Sequence, residues 1–425
     1  MKTPDISQAL VGGILVADAA GHYPGLELLN YVYGSEDGLL PEGENPRFVR
    51  TAQDFARRLV WDPERFADTA AGREVFVGHG AEEVLRQLLK CLQLPVPDRK
   101  TPNWEAAHFF PYTRSLIHWD ARNARSQARG VVQIERRYLR GGGALAYKVL
   151  RQDPDPRRLG AIRAGFANLM PDEGATPLER LAQVLATHSR PTAATACTVE
   201  AAAHPPEDDL DGQYRDGVAS ILSHTDLSST ARVKAIVNWT GFWLALCQRD
   251  RAAERLETGR PPVIVDCGSG PSQLRRESAR GLKEIVAVIG DAAEACLPEG
   301  DELKAKARRD LAGFFTRTCA WTGLINAFSG KRHFAIGLDL LEALVLALVP
   351  LDQETPFETF AGDDLHARFG LVIGRSAAAA EGLLGRLDAS LFEDNEQAFA
   401  RQLEAAGLLK SYSDTTRMVG TKALR

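Results

Sequence analysis

SSTARVKAIVNWTGFWLALCQRDRAAERLE, residues 228–257, decides the fold. Ser228 or Ser229 suits a helix N-cap, because a short hydroxyl side chain satisfies the free N–H groups of a first turn. Val233, Ile236, Val237, Phe242 and Leu246 then form part of an apolar stripe at helical spacing, with charge gathered at the end of the run. The same pattern continues in 277–297, in 301–330 and in LDLLEALVLALV (338–349), which stops at Pro350. Helices that follow helices predict a bundle. An α/β enzyme would alternate strands with helices.

Working outward toward the N-terminus, residues 46–60 place Phe48, Ala52, Phe55, Leu59 and Val60 at helical intervals, and 80–93 do so with Val84, Leu85, Leu88, Leu89 and Leu92. TPLERLAQVLATHS (176–189) opens with Thr176 and has Glu179 three residues later, a capping-box pattern. SRPTAATACTVEAAAHPPEDDLDG (189–212) has no sustained period and reads as a long surface loop. The expected organisation is a helical N-terminal domain over 1–190, a linker over 191–212, a central helical domain over 213–352 and a C-terminal module over 353–425. The fold class is mainly α, with few short strands and no internal repeat.

Size and composition fit this plan. At 425 residues the chain suits two or three domains of about 150 residues, with enough length to bury a core unaided by staples. Charged residues make up 25%, an ordinary globular share that argues against wholesale disorder. The net charge of −5 excludes a histone-like binder but leaves room for a local basic face. The six cysteines, at 91, 197, 247, 267, 296 and 319, are too scattered for a zinc knuckle, so no metal is expected. The opening MKTPDISQALVGGILVADAAG does not read as a signal peptide. The longest apolar stretch, Phe334 to Leu351, carries Asp339 and Glu342, which would be costly in lipid. The expectation is a reduced, cytoplasmic protein without a membrane span.

Charge is concentrated between residues 114 and 163. Twelve basic residues stand there against four acidic ones, a local balance of +8. Such asymmetry is expected where one face meets a polyanion. The leading nucleic-acid-binding candidates are Arg122, Arg125, Arg129, Arg136, Arg137, Arg140 and Lys148. Tyr112, Trp119, Tyr138 and Tyr147 are interleaved and suited to stacking on unpaired bases. The bland alternative is a solvated face, or an acidic protein partner. Gly141, Gly142 and Gly143 precede a predicted helix and would let a phosphate approach its N-terminus, with Arg140 and Lys148 assisting. The P-loop pattern GxxxxGK[ST] is absent, so a plain turn competes with that reading.

RPPVIVDCGSGPSQLRRESARGLKEI (260–285) reads as a buried strand, a glycine turn and a helix. Asp266, Gly268 and Gly270 resemble the first motif of S-adenosylmethionine-dependent methyltransferases, and the resemblance implies a cofactor site at those three residues. The competing reading is a structural loop, with no cofactor, whose Arg275, Arg276 and Arg280 suit a phosphate or an acidic partner. Glu302 and Lys304 match part of a metal-nuclease pattern but fall at a helix start. There is no GxSxG elbow, and the nine histidines form no HxH or HExxH pair, so no catalytic residue is assigned.

At the C-terminus, 355–370, 375–388 and 395–407 read as three helices, with Asn395 capping the third and Gly407 ending it. LLKSYSDTTRMV (408–419) reads as two short strands about a turn. Through FARQLEAAGLLKSYSD this end resembles a winged-helix domain. The resemblance implies contacts to DNA from the third helix and the hairpin, here Arg401, Lys410 and Arg417. Residues 356–425 carry eight basic against ten acidic side chains, which equally suits a protein-docking module. More diffusely, the chain is similar to helical accessory proteins of bacterial DNA-processing or anti-phage defence operons. The expected role is a non-catalytic, DNA-associated accessory subunit working beside a partner ATPase or nuclease. A protein-assembly scaffold is the alternative, and a methyltransferase-like enzyme the third reading.

Overall fold

The computed structural model describes residues 1–16, 24–35, 37–42, 46–51, 81–92, 110–114, 142–170, 191–196, 209–268, 270, 272–412 and 416–421. They are mainly helical, with few short strands. The helices are α1 (Thr3–Val11), α2 (Pro24–Gly34), α3 (Ala81–Cys91), α4 (Gly143–Arg151), α5 (Pro156–Leu169), α6 (Asp209–Ser223), α7 (Ser229–Arg255), α8 (Ser272–Glu294), α9 (Ala305–Thr322) and α10 (Leu338–Leu348). A turn α11 (Phe357–Thr359) leads into a π-helix (Phe360–Ala367), followed by α12 (Arg375–Ala380), a 3-10 turn (Leu383–Gly385) and α13 (Ala389–Ala405).

Helix α7 is the axle of the fold. The Ser228 hydroxyl accepts from Ala231 N–H at 3.2 Å and starts the helix as expected. Nearly every turn of α7 is then buried, and α2, α6, α8, α9 and α10 pack around it. A helix apolar on all sides belongs in the middle of a core. Its two tryptophans make the largest contacts. Trp243 stacks on Tyr214 with ring centroids 4.2 Å apart, and Trp239 donates its indole N–H to Tyr214 O at 3.1 Å. Gly217 of α6 lies directly under the Trp239 indole, where a Cβ would sit 2.4 Å from the ring. Truncating either tryptophan removes an aromatic anchor whose deletion costs about 3–5 kcal/mol in typical cores.

Two parts of the expected organisation are corrected. Residues 47–51, read as helix, form strand β1 (Arg47–Thr51), and residues 191–196, read as the start of a linker, form β2 (Pro191–Ala196). The two pair antiparallel, with an irregularity between Phe48 and Arg50. Backbone pairing overrides a short apolar period that fits either state. Among the described residues, buried side chains from Leu10 to Val419 form one contiguous cluster. The predicted helix at 176–189 lies outside the described residues.

At the C-terminal end, β3 (Val263–Ile264) pairs parallel with β5 (Leu371–Val372). A second sheet has the order β4 (Thr355–Pro356), β7 (Arg417–Val419), β6 (Leu409–Ser411). The hairpin β6–β7 stands where the sequence places it, and Gly407, at φ 70°, ends α13. The cap of α13 differs from expectation. The helix starts earlier, at Asp388, whose carboxylate accepts from Ser390 N–H at 2.9 Å, and Asn395 is buried within it. Among the described residues no helix is long and apolar enough to cross a membrane.

Candidate functional site

The candidate cations of 114–163 have different fates. Arg122, Arg125, Arg129, Arg136, Arg137 and Arg140 lie outside the described residues. Of those that follow, Arg157 is exposed, whereas Lys148, Arg151, Arg158 and Arg163 are turned into the fold. Lys148 is buried within α4, so it is not a surface contact as expected. Arg158 is clasped by Asp153 and Asp216, each at 2.7 Å, and this pairing holds its guanidinium above the ordinary arginine range. Arg163 donates to Leu40 O at 2.6 Å and lies 3.7 Å from Glu42. The Arg151 guanidinium sits 5.6 Å from the Tyr147 ring centroid.

Gly141 lies outside the described residues, and Gly142 and Gly143 do not form a phosphate cradle. Gly142, at φ 85°, is pressed against Leu15 and Leu244, and a Cβ there would meet Leu15 Cδ2 at 2.4 Å. A Cβ on Gly143 would meet Glu27 Cβ and the backbone nitrogen of Leu28, both at 2.5 Å. The Gly143 N–H donates to the Glu27 carboxylate at 3.0 Å inside the core. The helix start that was a candidate anion site therefore already holds an anion, supplied by α2. Glycine is needed here so that α2 and α4 can touch.

The loop after β3 is built differently. Asp266 is buried at the strand end, and its carboxylate accepts from Gly268 N–H at 3.0 Å and from Arg275 Nε at 2.9 Å. His333 Nε2 lies 3.5 Å from the same carboxylate. Burial lowers the His333 pKa from its ordinary value, against the raising effect of Asp266, and Arg275 lowers it further. Cys267 is fully buried, and desolvation pushes its thiol far above the ordinary range, so it is inert as a nucleophile. Gly268 (φ 80°) and Gly270 (φ 105°) take left-handed backbone, and among the described residues a Cβ on either would meet nothing within 4 Å. The expected strand, turn and helix are present. The parallel sheet beside them has two strands, β3 and β5.

Asn395 organises this loop, a role that reading it as a helix cap missed. Its carbonyl oxygen accepts from Cys267 N–H at 2.8 Å, and its amide donates to Val265 O and Ile373 O, each at 2.9 Å. One side chain thus closes the ends of β3 and β5 from beneath. Gln402, two turns further along α13, donates to Cys267 O at 3.1 Å. Arg249 and Arg260 are further residues that spacing did not reveal. Arg249, fully buried on α7, donates to Phe369 O at 3.0 Å, and Arg260 donates to Arg368 O and Ala367 O. Together they satisfy the carbonyls at the end of the π-helix.

The C-terminal candidates are divided. Arg401 is exposed on α13 and Lys410 is exposed on β6, with its ammonium 4.8 Å from the Tyr412 ring centroid. Arg417 is drawn inward, bonded to Glu358 at 2.9 Å and lying 4.2 Å over Phe357. The exposed face of α13 shows Glu393, Asp394, Gln397, Arg401 and Glu404, so carboxylates outnumber cations on it. That is the wrong sign for a helix lying along phosphates. No protein-family model matches the chain, and no curated protein and no solved structure is found to be similar to it.

Proposed function

We propose that the chain is a non-catalytic accessory subunit that docks on the phosphate backbone of DNA. It would work beside a partner ATPase or nuclease in a bacterial DNA-processing or anti-phage defence complex. The observation that carries this reading is the charge of residues 114–141, where seven arginines stand against two carboxylates, +5 in a chain of net −5. Lys148, Arg158 and Arg163, just beyond, serve the fold, which narrows the basic segment to that stretch. The hairpin β6–β7 after α13, with β4 as third strand, supports a winged-helix-like C-terminal module. The free thiols of Cys91, Cys267, Cys296 and Cys319 support a reducing, cytoplasmic setting.

The test is fluorescence anisotropy with a random-sequence duplex over a salt series. Binding is expected to weaken steeply with salt, and charge reversal at Arg136 and Arg137 to weaken it about tenfold or more. A flat titration for the unaltered protein overturns the reading. A protein-assembly scaffold then takes its place, favoured by the acidic exposed face of α13. S-adenosylmethionine is expected to leave the melting temperature unchanged, because the Asp266 carboxylate is already engaged by Gly268, Arg275 and His333.

A further inference from the structure

The cations on the first half of α8 behave unlike those near α4. Arg276, Arg280 and Lys283 recur at intervals of four and three residues, which places them on one stripe of the helix, about 10 Å from end to end. All three are exposed. Arg276 donates to the backbone oxygen of Ser272, and among the described residues no carboxylate pairs with it or with Lys283. Arg275 stands beside the stripe, half out of the fold, with its Nε on Asp266. Arg386 reaches in from the 3-10 turn to Glu277 at 2.9 Å, and Arg280 lies 3.6 Å from the same oxygen. Glu277 is mostly covered, so it sits beneath two guanidiniums and sets their positions. Lys331 and Arg332 precede His333, which adjoins Asp266 at the open glycine loop. The first half of α8 thus carries Arg275, Arg276, Arg280 and Lys283, with Arg386 beside it, against Asp266, Glu277 and Glu284. The positive end of the helix dipole points the same way.

We propose that this face is a second docking surface for a nucleic-acid phosphate backbone, deepening the function proposed above and resting on it. Two features favour a nucleic acid over an acidic protein. Arginine dominates the patch, and its guanidinium fork matches phosphate oxygens. The exposed residues of 272–284 are Ser272, Gln273, Arg275, Arg276, Arg280, Lys283 and Glu284, none of them apolar. Protein interfaces are anchored by buried aromatic or aliphatic side chains, which this surface does not offer.

The experiment uses the full-length protein and a fluorescein-labelled random duplex, titrated between 50 and 300 mM salt. Arg276→Glu, Arg280→Glu and Lys283→Glu together are expected to weaken binding at least about tenfold and to flatten the log–log salt slope by about two to three. The neutral triple R276Q/R280Q/K283Q is expected to show the same flattening, and it serves if the reversal disturbs folding. Unchanged circular dichroism and melting temperature establish that the fold is intact. If the unaltered protein binds and R136E/R137E weakens it while both α8 triples bind as tightly as the original, the α8 surface is refuted and the general function stands. If the unaltered protein shows no salt-dependent binding, both fall. If polyglutamate displaces the duplex at equal charge concentration, the partner is an acidic protein and the inference is overturned.

Discussion

Two glycine-led helix starts look alike in sequence and are opposites in space. Ahead of α4, Gly142 and Gly143 are crowded by Leu15, Leu28, Leu244 and Glu27. Ahead of α8, Gly268 and Gly270 face open space. The first pair is glycine because neighbouring groups lie where a side chain would be, and Gly142 is left-handed as well. The second is glycine because the backbone turns left-handed. The first closes its helix end with a buried carboxylate, while the second is supported from behind and keeps a cationic rim. A glycine run therefore announces either close approach or left-handed backbone, and only the surroundings say which.

The largest effect expected on this contrast comes from Asn395→Ala. It strands Cys267 N–H, Val265 O and Ile373 O, and unfolding in urea should show a loss of about 4 kcal/mol. A loss below about 1 kcal/mol means that the second loop holds itself and needs no support. Next comes the paired comparison of Gly143→Ala with Gly268→Ala. The first forces a methyl into Leu28 backbone and should cost about 3 kcal/mol, whereas the second strains φ alone and should cost about 1. Equal losses in thermal melts break the distinction between the two starts. Glu27→Gln keeps an acceptor for Gly143 N–H but removes its charge, and about 1 kcal/mol is expected from the same melts.

The smallest effect concerns pH. The folded environment lowers the His333 pKa below its ordinary 6.5, so the unfolded chain takes up the proton more readily. This contribution is full above that pH and is lost as pH falls through the depressed folded value. Replacing His333 by Asn should flatten the pH–stability curve below about 6.5, read from thermal melts across a pH series. An identical curve for both proteins removes His333 from the account of the second loop.

The contrast also marks what could be read in advance. The course of α7 follows from apolar spacing and the Ser228 cap, and the hairpin at 409–419 follows from alternation about a turn. Both depend on neighbours in sequence. The β1–β2 pair joins segments far apart in the chain, and PTAATA carries too little apolar or β-branched weight to announce a strand. Asn395 looks like a cap because a helical pattern follows it. Its actual partners, Val265, Cys267 and Ile373, lie in segments with no local signature of meeting it. The Gly143–Glu27 contact spans 116 residues, so triple glycine alone carries two meanings. Of the candidate cations, Lys148, Arg158 and Arg163 could not be told from surface arginines by charge count. Whether a cation is taken up by the fold depends on which carboxylate or carbonyl tertiary packing brings beside it.

The threefold grip of Asn395 has a consequence for how the molecule matures. The fastening that joins residues 263–265 to 371–373 arrives on α13, 130 positions beyond Val265. During synthesis the earlier helices can assemble on α7, but the loop ahead of α8 lacks its final clasp until α13 has been made. A chain cut short before α13 should carry a loose, protease-accessible seam just after β3, which the arrival of Asn395 seals.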